Sequence, residues 1–312
     1  MILISGEALV DLIPDRIKDG AYDAVLGGSP FNVAIGLARL GAPAAFVSRV
    51  SNDANGEAFT AGLAKAGVDL SFVARVVEPT TLAFVMRGTA ATGARYSFYL
   101  DSTSFDGQWP FPPQWPANGR HLHVGSISAL DARHGESVVA ALTAARRHAT
   151  TSFDPNIRPL VTPDRDKVMG LVERQLALAS FVKASDEDLH WLYPDRDPET
   201  SIAGWAQRGP LFAVVTRGPD GAVAFLGGER FEAHAPKVEV VDTVGAGDSF
   251  MSALIAAMDA DGALGASAAA STAPRLQRWL DFAATAAAIT CTRKGSDPPT
   301  RAEVEALLAQ SA

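Results

Sequence analysis

The sequence has one cysteine, Cys291, among 312 residues. That excludes an internal disulfide, and without His or Cys neighbours at ligand spacing it gives no zinc site. A reducing compartment, the cytoplasm, is the expected setting. Positive charge is also short: 27 Lys and Arg stand against 35 Asp and Glu, for a net charge of −8 at pH 7. A broad basic face for a nucleic-acid backbone or an anionic membrane is therefore not expected, which leaves a small molecule as the expected partner. The longest apolar run, around Phe282 to Cys291, falls well below the ~20 residues of a spanning helix. Glu7 precedes any Lys or Arg, so no export signal is expected either. Repeats, heptads and low-complexity tracts are missing; the Ala-rich stretch from 263 to 273 reads as close helix packing.

What is present is the material of a globular α/β protein. Hydrophobic residues make up 47% of the chain, enough to bury a sizeable core, and the length fits one large α/β domain spanning 1–312. Short apolar runs bounded by turn residues recur at Ile2 to Gly6, Ala45 to Val50, His121 to Gly125, Thr151 to Asp154, Phe181 to Ala184, Phe212 to Thr216 and Val238 to Val241. With helix-patterned segments between them, these predict a doubly wound, mostly parallel sheet. The first helix starts at Ser29, a cap, with Pro30 in its first turn and Val33, Leu37 and Leu40 on one face; Gly41 ends it. Residues 13–25 and 80–100 lack helical periodicity and predict a small β lid, with a turn containing Gly88 and Gly93. The proline-rich Trp109 to Pro116 stretch reads as a rigid loop.

Chemistry concentrates at Asp242-Thr243-Val244-Gly245-Ala246-Gly247-Asp248-Ser249-Phe250, read as leaving a strand and entering a helix whose buried face carries Phe250, Met251, Leu254, Ile255 and Met258. Small residues at Gly245, Ala246 and Gly247 leave the first-turn amides uncovered at the positive end of the helix dipole, a site for anionic oxygen. Asp248 beside such an anion is unfavourable unless it accepts a proton from an attacking hydroxyl. The bland alternative is a glycine turn that lets helix pack on strand, with Asp248 as a cap. No Lys-Ser or Lys-Thr follows the glycines, so this is not a P-loop, and the third glycine of a dinucleotide fingerprint is missing.

The same stretch resembles the carboxyl-terminal signature of the ribokinase-like (PfkB) carbohydrate kinases. Gly27-Gly28-Ser29-Pro30-Phe31-Asn32-Val33-Ala34 with Leu40-Gly41 resembles their amino-terminal signature. The segments Gly6 to Asp11, Thr80 to Val85, Asp154 to Pro159 and Lys183 to Leu189 resemble the fructokinase branch. The resemblance runs from Ile2 to about Leu308. It implies a nine-stranded α/β/α sheet with a β lid, and transfer of the ATP γ-phosphoryl to a sugar hydroxymethyl group with Mg²⁺. Asp11, Ser126, Asp154, Ser185, Thr216 and Asp242 all follow expected strands. Carboxyl ends of a parallel sheet share one edge, so these residues can converge.

By the same resemblance, Asp248 is the general base and Gly245, Ala246 and Gly247 the anion hole, with Arg158 on the transferred phosphoryl or the sugar. Sugar would meet Asp11, Gly27, Gly28, Asn32, Tyr96, Phe98, Asn156 and Arg158. Nucleotide would meet Lys183, Ser185, Gly245, Gly247 and the Thr216, Gly218 and Gly221 turn, which reads equally well as a plain hairpin. The family's Asn-x-x-Glu segment is Ser185 to Asp188 here, so Asp188 or Glu187 would influence Mg²⁺ through water. Asp242 would lie beside a monovalent cation such as K⁺, with backbone near Val244 and Gly295. Fructose is the expected acceptor; a 2-keto-3-deoxygluconate kinase and a non-catalytic sugar-binding regulator are the alternatives. The lid is a candidate homodimer surface. His121, His123 and His134 carry no expected role.

Overall fold

The computed structural model describes residues 1–15, 18, 20–86, 95–266 and 273–311. The expected lid turn with Gly88 and Gly93 and most of the Ala-rich stretch lie outside them. Elements follow in the order β1 (Ile2–Ser5), β2 (Leu9–Pro14), β3 (Tyr22–Gly27), α1 (Ser29–Arg39), β4 (Ala44–Ser51), α2 (Ala54–Ala66), β5 (Val73–Val76), β6 (Leu82–Met86), β7 (Arg95–Tyr99), β8 (His121–Gly125). There follow α3 (Ser126–Leu130), α4 (Gly135–Ala145), β9 (Thr150–Asp154), α5 (Arg165–Leu176), β10 (Phe181–Ser185), α6 (Asp186–Leu192), α7 (Pro198–Trp205), β11 (Phe212–Thr216), β12 (Ala222–Leu226), β13 (Glu229–Ala233), α8 (Ala246–Ala260), α9 (Ala273–Cys291) and α10 (Arg301–Ser311).

Nine strands form one sheet in the order β13-β12-β11-β10-β9-β8-β1-β4-β5, parallel from β11 through β5 and closed by an antiparallel edge. Its central strands are buried on both faces, as continuous apolar runs require. One core lies beneath α1, α8 and α9 and holds Ile2, Ile4, Phe181 and Phe212. The other holds Leu3, Leu122, Phe153 and Val182. Neighbouring residues of one strand thus serve opposite layers.

The second sheet, ordered β3-β2-β6-β7, is the lid. It begins at Leu9 and runs to Gly27, wider than the 13–25 expected, so Asp11 sits inside a lid strand rather than at the end of a main-sheet strand. The expected strand at Val238 to Val241 does not form. Val240 and Val241 are exposed, and the segment is tied down by N–H groups of Val241 and Asp242 donating to Cys291 O. Glu239 interrupts its apolar pattern. The chain therefore enters α8 from irregular backbone, not from a strand. No helix among the described residues is long and apolar enough to cross a membrane.

Candidate active site

Gly245 is the N-cap of α8, with φ 77° and no side-chain cap. Only glycine adopts that backbone freely, and a Cβ there would fall on Ser296 Oγ. The N–H groups of Gly245 and Gly247 find no protein acceptor among the described residues, which leaves them available to an anion. Ala246 departs from expectation: its N–H donates to Thr243 O at 3.3 Å, closing the turn that precedes the helix. The free part of the expected anion hole is therefore two glycine amides rather than three in a row.

Behind Gly247 stands Lys183. Its Nζ lies 3.4 Å from where a Gly247 Cβ would be and 2.9 Å from Asp154 Oδ2, with the two side chains 4% and 2% exposed. Burial raises the Asp154 carboxyl to about 6, against the pull of Lys183. Burial draws the Lys183 ammonium down, but Asp154, Asp188 and Asp248 together hold it above its usual value, so it stays cationic. Asp154 Oδ1, fully buried, has no hydrogen-bond partner among the described residues.

Asp188 is placed differently from expectation. It forms a capping box with Ser185: its Oδ2 accepts from Ser185 N at 3.0 Å and Ser185 Oγ at 2.8 Å, and its N–H donates back to Ser185 Oγ. Its Oδ1 accepts from Ile157 N at 2.7 Å. Those bonds shape the loop after β9. Glu187 is exposed. The carboxylate oxygen left over beside Lys183 belongs to Asp154, a residue that sequence reasoning placed at the strand-end edge without a role. One signal was available: a lysine in the buried run Phe181 to Ser185 must have a buried partner.

Asp248 turns away from its own helix. Its Oδ1 accepts from Ser29 Oγ at 2.6 Å and its Oδ2 from Asn32 Nδ2 at 2.8 Å. The two sequence signatures, more than 200 residues apart, thus meet through three side chains. The expectation that Ser29 caps α1 is corrected: Gly28 is the N-cap, with φ 105°, and Ser29 spends its hydroxyl on Asp248.

On the lid side, the register places Val25, Asp11, Ala83 and Phe98 in one row across the sheet. Gly27 keeps the Asp11 carboxylate in place, because a Cβ would sit 2.6 Å from its Oδ2. Burial lifts the Asp11 carboxyl to about 6, while Arg158 lowers it. Arg158 Nη1 donates to Asn156 Oδ1 at 2.8 Å and to the carbonyls of Asn156 and Ile157. Asn156 itself holds φ 38°. Phe98 is half-buried; the backbone of Tyr96 lies on β7, and its side chain lies outside the described residues.

Thr216, Gly218 and Gly221 form the β11–β12 connection, with Arg217 N donating to Gly221 O at 2.8 Å. The connection is a hairpin between antiparallel strands. Asp242 receives Val244 N at 3.1 Å on Oδ1 and Gly295 N at 2.8 Å on Oδ2. His121 and His123 are buried and bonded to Thr150 and Ser152.

A profile of the pfkB family carbohydrate kinases matches residues 1–303. The chain is 35% identical over 269 residues to a fructokinase of Rhizobium leguminosarum bv. trifolii, covering 85% of this chain and 81% of that one. Among solved structures it resembles the fructokinase of Xylella fastidiosa with bound ATP, at a TM-score of 0.85 and 26% identity over 99% of this chain and 98% of that one. It also resembles a Vibrio cholerae fructokinase in a fructose, ADP and calcium ion bound form, at 0.84 and 27% over 98% of each. With the profile spanning the chain and both signatures joined at Asp248, the protein belongs to the pfkB family of carbohydrate kinases.

Proposed function

We propose that the chain is an ATP-dependent fructokinase, converting D-fructose and ATP to fructose 6-phosphate and ADP. The observation that carries this reading is Asp248, held by Ser29 and Asn32 one residue beyond the uncovered Gly247 amide, with the Lys183 ammonium behind it. The sugar's primary hydroxyl oxygen attacks the γ-phosphorus, its proton passes to the Asp248 carboxylate, and ADP leaves with the electrons of the broken P–O bond. Free N–H groups of Gly245 and Gly247, Lys183 and Arg158 meet the charge on the transferring phosphoryl. Thr216, Gly218, Gly221 and Ser185 line the nucleotide end.

Sugar hydroxyls are accepted by Asp11, with Gly27, Gly28, Asn32, Asn156, Tyr96 and Phe98 around them. A carboxylate at Asp11 favours a neutral polyol over a sugar acid, which supports fructose over 2-keto-3-deoxygluconate. Relatives named fructokinase at 35% identity support the same acceptor.

The donor set suits Mg²⁺ held mainly by phosphate and water, with Asp154 Oδ1 as the protein oxygen left to it. No cluster of three ligating side chains exists among the described residues. Bound there, Mg²⁺ neutralises phosphate charge. Asp242 is the carboxylate that would face K⁺. A lone thiol and ATP as co-substrate support a cytoplasmic setting.

A panel of neutral sugars and sugar acids with ATP, followed by ADP release, tests the acceptor. Fructose is expected to give the highest kcat/KM; a sugar acid preferred over fructose would refute the assignment.

A further inference from the structure

Asp248 and Ser29 each forgo the bond that local helix chemistry offers them. A serine at a helix start ordinarily spends its oxygen on the free amides, and so does an aspartate in a first turn. Here neither α1 nor α8 has a side-chain cap. Ser29 and Asp248 are instead joined at 2.6 Å, within the range of an O–H donor on a charged oxygen.

Asn32 alone would not fix the carboxylate. The terminal torsion of an aspartate is broad, so one donor leaves the other oxygen free to swing. Ser29 and Asn32 sit on one face of the rigid first turn of α1 and take one oxygen each. Together they fix the plane of the carboxylate and leave each oxygen a lone pair for the incoming hydroxyl.

We infer that Ser29 is a positioning residue for phosphoryl transfer: its hydroxyl, donating to Asp248 Oδ1, sets the angle at which that carboxylate receives the sugar's proton. This rests on Asp248 being the proton acceptor. Ser29 acts through Asp248 and not through the sugar. Its loss therefore belongs in kcat, because misplacing a reacting group raises the barrier without weakening ground-state binding.

The test is steady-state kinetics with fructose and ATP on wild type, Ser29→Ala, Ser29→Cys and Ser29→Thr, each with a thermal melt. Ser29→Ala removes the hydroxyl, and Ser29→Cys keeps the size with a weak donor. Both are expected to lose about 10- to 100-fold in kcat, the worth of a bond to a charged group. Their KM for fructose should stay within about twofold, since uniform binding is untouched. Ser29→Thr retains the donor and is expected to keep most of the wild-type kcat.

Folded Ala and Cys variants with wild-type kcat would overturn the inference. So would a loss that appears in KM alone, which would make Ser29 a sugar contact, or an equal loss in the Thr variant, which would assign the effect to packing. A wild type inactive on every sugar would overturn the kinase reading itself, a result distinguishable from all three.

Discussion

Asp11 shows what burying one carboxylate costs in stability. Its carboxyl is lifted from an ordinary 3.8 to about 6, chiefly by burial. Between those values the folded chain holds a proton that the unfolded chain has released, so stability falls as pH rises through the interval and the deficit is complete above about 6. That deficit is on the order of 1–3 kcal/mol at pH 7. Asp11→Asn is therefore expected to make the sugar-free protein more stable in urea at pH 7 and to show little gain near pH 4. Calorimetric Kd for fructose should weaken in wild type as pH falls through about 6, when protonation turns one acceptor oxygen into a donor and removes the charge. Asp11→Asn should bind weakly at every pH. A wild-type Kd that is flat from pH 5 to 8 would remove Asp11 from the sugar site.

Among the elements, the proposed function depends most on the start of α8. Gly245→Ala imposes about 1–2 kcal/mol of left-handed backbone strain in addition to the contact with Ser296 Oγ. We expect lower stability together with a fall in kcat. Wild-type values for both in denaturation and kinetics would mean that the cap can relax. The helix start was legible in the sequence because glycines at this spacing favour a left-handed cap, whereas the strand expected before it and the third free amide were not found. The buried strands were legible for a similar reason, since apolar runs such as Phe212 to Thr216 have no other use. The misread elements had a physical ambiguity. Val238 to Val241 has the composition of a strand, but the amides of Val241 and Asp242 are taken by Cys291 O at the end of α9, a tertiary contact that local composition does not reveal. Ser29 and Asp188 read locally as caps or ligands. Which partner each chose depends on residues far away in the chain: Asp248 in one case and Ile157 in the other.

At the scale of the whole molecule, the lid leaves an aromatic patch exposed among the described residues. Opposite the Asp11 row, Tyr22 and Tyr99 pack edge-on against Phe84, at 5.6 and 5.5 Å between ring centroids. Tyr22, Met86 and Tyr99 are exposed. We propose this face as a homodimer surface, consistent with the aromatic enrichment of interfaces. Sedimentation at micromolar concentration should give a dimer for wild type and a monomer for Tyr99→Asp; a monomeric wild type would contradict it. The proposed role of Asp248, the carboxylate at which both signatures meet one residue beyond the Gly247 amide, carries the functional reading. It is tested most directly by Asp248→Asn assayed with fructose and ATP, alongside ATP binding by calorimetry. The account predicts retained ATP affinity with kcat lower by about 10²- to 10⁴-fold; wild-type turnover in a folded, ATP-binding Asp248→Asn protein would contradict it.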